Sequence, residues 1–127
     1  MAVQCVIVDD NDHFLEAARD ALERDGVHVV GVASSGAEAI ARIGELRPDV
    51  TLVDVCLGEE SGFALAERIA GASAADPSPV ILVSTYAQTD FEEMIATSSA
   101  LTFLSKSDLS GGAIREILET AASDPRP

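Results

Sequence analysis

The chain has 127 residues, a size suited to one domain, and 47% of them are apolar, enough for a full core. Four Phe, one Tyr and no Trp leave that core to Val, Ile, Leu and Ala. Acidic residues outnumber basic ones by 22 to 8, and the net charge of −14 argues against direct binding to nucleic acid or anionic membrane.

Met1-Ala2 leads directly into the apolar run Val3–Val8, which is too short for a signal peptide or a membrane span. Further apolar runs follow at Val27–Ala33, Val50–Val53, Val80–Val83 and Leu101–Leu104. Three of the five are almost continuously apolar, as parallel strands covered on both faces must be. Stretches of helical period separate them. Phe14, Leu15, Ala18 and Leu22 make the first stripe, with Asp12 as the expected N-cap. Ala37, Ile40, Ile43 and Leu46 make the second, and Phe63, Ala66, Ile69 and Ala70 the third. The fourth, around Phe91, Met94 and Ile95, is short and weak; Ile114, Ile117, Leu118 and Ala121 make the fifth. Gly26, Pro48, Pro77 and Pro79 mark the returns from helix to strand. Five strands alternating with five helices predict an α/β domain, a (βα)5 repeat on a doubly wound, parallel, five-stranded sheet.

Ligands of open α/β sheets bind beyond the carboxyl ends of the strands. There the first strand ends in Asp9-Asp10, the third at Asp54, the fourth at Ser84 and the fifth just before Lys106. Singly, each has an ordinary explanation: an Asp that caps a helix, a Ser that ends a strand, a Lys in solvent. Asp54 is harder to dismiss, because it follows Leu52-Val53 and precedes Val55, where an uncompensated charge is costly. The conjunction points to chemistry. Three converging carboxylates raise one another's pKa, and a hard cation such as Mg²⁺ relieves them. The same cation admits a phosphate that bare carboxylates would repel. Lys106 and Ser84 then suit the oxygens of a transferred phosphoryl group. Cys5 and Cys56 lack metal-ligand spacing and read as reduced thiols, which with the absence of a targeting segment gives a cytoplasmic expectation. His13 and His28 read as surface or packing residues.

Over essentially its whole length the sequence resembles the receiver domain of bacterial two-component response regulators. The resemblance rests on Val6-Ile7-Val8-Asp9-Asp10-Asn11, Arg47 through Asp54, Ser61-Gly62, Pro79 through Ser84, and Phe103-Leu104-Ser105-Lys106. It implies a flavodoxin-like, CheY-like fold with strand order 2-1-3-4-5. It implies phosphoryl transfer from a sensor histidine kinase or phosphotransfer protein to Asp54. Asp10, Asp54 and the Cys56 carbonyl would hold Mg²⁺ directly, and Asp9 mostly through water. Lys106 and Ser84 would contact the phosphoryl oxygens. Ser84 and Phe103 would form the switch that repacks the surface of helix four, strand five and helix five. Such a chain is not an enzyme in the ordinary sense, since it catalyses only its own phosphorylation and dephosphorylation.

The text from Asp54 to Gly62 and from Phe103 to Ser110 looks most like the NarL/LuxR-type branch, whose members often carry a DNA-binding output domain. No such domain lies within this chain, so the expectation is a single-domain regulator or an excised receiver. The receiver is placed at residues 1–122, with 123–127 a flexible tail or the start of a linker, and a homodimer stays open. Three positions depart from the family pattern: Ser107 and Gly58 stand where Pro is frequent, and Phe103 where Tyr is commoner. A trans peptide is expected before Ser107, since cis without proline costs about 2.5–4 kcal/mol. Cys56 and Tyr86 are candidates for shielding an aspartyl phosphate from water. A phosphatase of the haloacid dehalogenase type, suggested by Asp10-Asn11-Asp12, leaves Asp54 without a role. A degenerate receiver that only docks a partner is disfavoured by the full acidic set with Ser84 and Lys106, and a flavin-binding flavodoxin relative by the carboxylates of Asp9-Asp10-Asn11-Asp12.

Overall fold

The computed structural model describes residues 3–72, 79–85 and 91–123. Five parallel strands form one sheet: β1 Gln4–Val8, β2 His28–Ala33, β3 Val50–Asp54, β6 Val80–Ser84 and β7 Thr102–Ser105. A two-stranded antiparallel hairpin, β4 Cys56–Leu57 with β5 Glu60–Ser61, sits between β3 and the third helix. The main sheet runs β2-β1-β3-β6-β7, which is the expected 2-1-3-4-5 once the hairpin is set aside. Its helices are α1 Asp12–Arg24, α2 Gly36–Leu46, α3 Gly62–Ala72, α4 Glu92–Thr97 and α5 Gly111–Ser123. α4 is short, has no side-chain N-cap and buries no residue fully, as its weak stripe suggested.

The strands feed two cores because successive side chains face opposite ways. Val6, Val8, Val53, Val80 and Leu82 point to the side covered by α2 and α3, where they meet Ala39, Phe63, Ala66 and Ile69. Cys5, Ile7, Val50, Leu52, Ile81 and Val83 point to the side of α1 and α5, against Leu15, Ala18, Leu22 and Ile114. Both faces are dry, so the strands read as apolar runs rather than alternating ones.

Two expectations change at element ends. The N-cap of α1 is Asn11, whose side chain accepts from the Phe14 N–H at 3.2 Å; Asp12 is instead the first helical residue. The switch of position follows from Asp9, whose carboxylate accepts the Asn11 N–H at 2.9 Å and fixes Asn11 in extended backbone. α5 also includes Ser123, one residue beyond the expected limit. No described peptide bond is cis, and Lys106–Asp108 form one 3₁₀ turn after β7. Among the described residues, no helix is long and apolar enough to cross a membrane.

Candidate phosphoacceptor site

The carboxyl ends of β1, β3, β6 and β7 bring the expected residues to one rim. β1 stops at Val8, yet the Asp9 N–H still donates to the Ala33 carbonyl at 3.0 Å, holding Asp9 in the sheet's plane. Asp9 is wholly buried, and Asp10 beside it is exposed. β3 runs one residue beyond its apolar run, so that Asp54 is its last member, paired with Val83 of β6 and 7% exposed. The Cys56 N–H donates to Asp54 Oδ1 at 3.4 Å, which turns the chain out of the strand. Ser84 ends β6, is buried, and pairs with Ser105 of β7.

Lys106 follows β7 directly, and its ammonium reaches back over the rim. Nζ lies 2.7 Å from Asp9 Oδ2 and 3.5 Å from Asp54 Oδ2. The contact with Asp9 is an ion pair, and among the described residues no other donor reaches the buried Oδ2. The Phe14 ring covers another side of the ammonium, 4.1 Å from Nζ to the ring centroid. Burial, then the charge of Asp9, push the Asp54 carboxyl up to about 6; the Lys106 ammonium and the Cys56 N–H pull the other way without prevailing.

Asp9, Asp10 and Asp54 each offer a carboxylate oxygen, and these oxygens all lie within 4.8 Å of one another. Opposite ligands of octahedral Mg²⁺ stand about 4.2 Å apart, twice its bond length. The set therefore fits one ion, with room for part of it to act through water. One ammonium against three carboxylates leaves negative charge that a hard cation offsets. Gly58 comes close as well: at φ +60 its position would set a Cβ 3.4 Å from Asp10 Oδ2. Pro, locked near φ −65, cannot adopt that backbone, which accounts for its replacement here.

Phe103 is buried beneath the rim. Its ring lies 6.1 Å from Phe91, which lies 5.8 Å from Phe63 of α3. Cys56 is exposed and Cys5 buried; both thiols are free, and burial raises Cys5 to about 12, leaving it inert. His28 is a surface residue 3.3 Å from Glu23. Pro77 and Tyr86 lie outside the described residues. Two contributors escaped the sequence reading. Phe14 was absorbed into the apolar stripe of α1. Glu60 accepts the Gly36 N–H at 3.0 Å, tying the β4–β5 hairpin to the start of α2. Only a fold that places Lys106 over α1 reveals the first, and only the hairpin reveals the second.

The haloacid dehalogenase reading loses its motif here, because Asn11 is a helix cap and Asp12 an exposed first-turn residue. The comparisons agree. The family model for the response regulator receiver domain matches residues 5–119. A protein-glutamate methylesterase/protein-glutamine glutaminase of Halobacterium salinarum is 33% identical over 87 residues, which is 68% of this chain and 24% of that protein. The chain thus spans about a quarter of the curated relatives it matches. The signal receiver domain of the response regulator NarL from Mycobacterium tuberculosis is 28% identical, with a TM-score of 0.79 over 97% of this chain and 98% of that one. The response regulator domain of Thermotoga maritima CheB shares the fold at 22% identity, with a TM-score of 0.78 over 98% of this chain and 100% of that one. On the family match and the order of the sheet, the chain belongs to the response regulator receiver domains, the phosphoacceptor modules of two-component signalling.

Proposed function

We propose that Asp54 is the phosphoacceptor, that Asp9, Asp10, Asp54 and the Cys56 carbonyl hold Mg²⁺, and that Lys106 and Ser84 contact the phosphoryl oxygens. The observation that carries this is the meeting of the Asp9 and Asp10 carboxylates and the Lys106 ammonium around the carboxylate of Asp54. An Asp54 oxygen attacks the phosphorus of a phosphohistidine on a sensor kinase or phosphotransfer protein. The P–N bond breaks in line, and its electron pair leaves on the imidazole nitrogen. Bound Mg²⁺ supplies positive charge to the phosphoryl oxygens. Lys106, 3.5 Å from the Asp54 carboxylate, adds a fixed positive charge on the same side. The Asp54 carboxylate must be ionised to attack, and the charge of Lys106 favours that form.

The reaction is confined to the chain's own phosphorylation and dephosphorylation, and the methylesterase activity named for its relatives is not carried over. Ser84 moves toward the phosphoryl group and Phe103 repacks behind it, which shifts the population of the α4–β7–α5 surface toward a partner or an output domain. The working unit is the receiver through the end of α5 at Ser123, and it acts in the cytoplasm without touching nucleic acid itself. Intact-mass measurement after acetyl phosphate with Mg²⁺ tests the site. One phosphoryl group should add to the native chain and none to Asp54→Ala; a gain in both displaces the assignment. Faster dephosphorylation in Cys56→Asn and Tyr86→Ala tests the shielding role, and unchanged rates end it.

A further inference from the structure

The ring of Phe14 packs at the edge of the core beneath α1 and has a second contact beyond it. Leu15, Ala18 and Leu22 are the residues of α1 buried against the sheet, and Phe14 is only half-buried at the edge of that core. Beyond that core it also meets the Lys106 ammonium, at 4.1 Å from its centroid. Its place is fixed by a closed circuit of contacts. Asp9 Oδ1 holds the Asn11 N–H, and Asn11 Oδ1 holds the Phe14 N–H. The Phe14 ring faces Lys106 Nζ, and Lys106 Nζ returns to Asp9 Oδ2 at 2.7 Å.

A lysine on a four-carbon stem is a mobile point charge with three donors and no preferred plane. Here the side chain is 13% exposed and Asp9 and Asp54 take two of its directions. The third meets the negative face of an aromatic ring rather than water. We propose that Phe14 is a positioning residue for phosphoryl transfer: its ring face holds the Lys106 ammonium over the Asp54 carboxylate, so that the charge is in place before the donor arrives. The inference rests on the phosphoacceptor reading of Asp54. An aliphatic side chain would fill the same space and leave the ammonium free to turn into solvent. Preorganised charge is worth more than charge that must be gathered during the reaction.

The test exploits the electronic character of the contact. Phe14 is replaced by Leu, by Tyr, and by phenylalanines carrying increasing numbers of ring fluorines, which keep the shape and drain the negative face. The rate of Asp54 labelling by acetyl phosphate with Mg²⁺ is measured for each, together with Tm. Labelling should slow stepwise with fluorination, roughly 3- to 10-fold over the series. Phe14→Tyr should label at the native rate and Phe14→Leu at the rate of the most fluorinated ring. Tm should stay level across the fluorinated chains, which separates the effect from packing. A rate indifferent to fluorine in a chain that does label Asp54 overturns the role of Phe14 alone. A native chain that takes no phosphoryl group overturns the phosphoacceptor reading and this one together.

Discussion

Asp54 is held ionised against its surroundings. Its carboxyl is pushed up to about 6, first by burial and then by Asp9, from an ordinary value near 3.8. The sign of the resulting linkage is the reverse of that for a salt-bridged carboxylate. Because the folded state binds the proton more tightly than the unfolded one, stability falls as pH rises from about 4 to about 6, and the cost is complete above that. Full conversion of a shift of this size would give about 3 kcal/mol, and water at the open side of the rim reduces it to roughly 1–2 kcal/mol. Asp54→Asn should therefore be more stable than the native chain by that amount at pH 7.5 without divalent cations. The advantage should shrink below pH 5, where the native carboxyl takes up its proton. Urea unfolding at both pH values checks this; equal stability at pH 7.5 would contradict the assigned strain. Asp54 was legible from sequence because a charge between Val53 and Val55 demands a reason. Phe14 was not, because an aromatic in helical register with Leu15, Ala18 and Leu22 already has one. Nothing local signals that a lysine at the far end of the chain returns to its ring.

The helix that follows Asp54 and the hairpin starts with almost no space between backbones. Gly62 opens α3, and its N–H donates to the Val55 carbonyl at 2.8 Å. A Cβ there would press into the Asp54 carbonyl oxygen, with the carbonyl carbon and Val55 Cα each 2.8 Å away. Those neighbours are backbone and cannot rotate aside. Gly62→Ala should destabilise the fold by about 1–3 kcal/mol and slow labelling of Asp54, since relief requires moving α3 away from β3. A variant with native urea midpoint and native labelling would show that the two backbones are not locked. α5 depends on a distant element in a similar way. Asp25, the C-cap of α1, accepts the Gly111 N–H at 2.9 Å, and its own carbonyl accepts from Arg115 at 2.7 Å. Removing that carboxylate in Asp25→Ala should cost about 1 kcal/mol of stability, read from the same urea titration; no loss would mean that water satisfies the Gly111 N–H equally well. The five sheet strands were legible to within a residue at their ends, because two-sided burial writes them as apolar runs. The β4–β5 hairpin was not, since two-residue strands carry no period. The choice between Asn11 and Asp12 as cap was equally hidden, because every residue from Asp9 to Asp12 suits that position and only the Asp9–Asn11 bond decides.

The whole molecule carries a net charge of −14 and concentrates three carboxylates on one rim of the sheet. Two effects of added cations follow, and they can be separated. Any salt screens the general self-repulsion and should raise stability modestly. Mg²⁺ should do more, because a ligand bound only by the folded state adds RT ln(1 + [Mg²⁺]/Kd), about 1.4 kcal/mol at ten times Kd. For a domain of this size that is a rise in Tm of about 5 °C. The measurement is thermal unfolding in MgCl₂ against NaCl of equal ionic strength, in the native chain and in Asp10→Asn. The native chain should show the excess with Mg²⁺. Asp10→Asn should respond to both salts alike, since the substitution removes an exposed carboxylate of the proposed ion site and leaves both cores and the Lys106–Asp9 pair untouched. Comparing the two salts within each protein cancels the repulsion that the substitution itself relieves. If MgCl₂ and NaCl act equally on the native chain, the three carboxylates gather no ion, and the clustering of charge at the ends of β1 and β3 would need another cause.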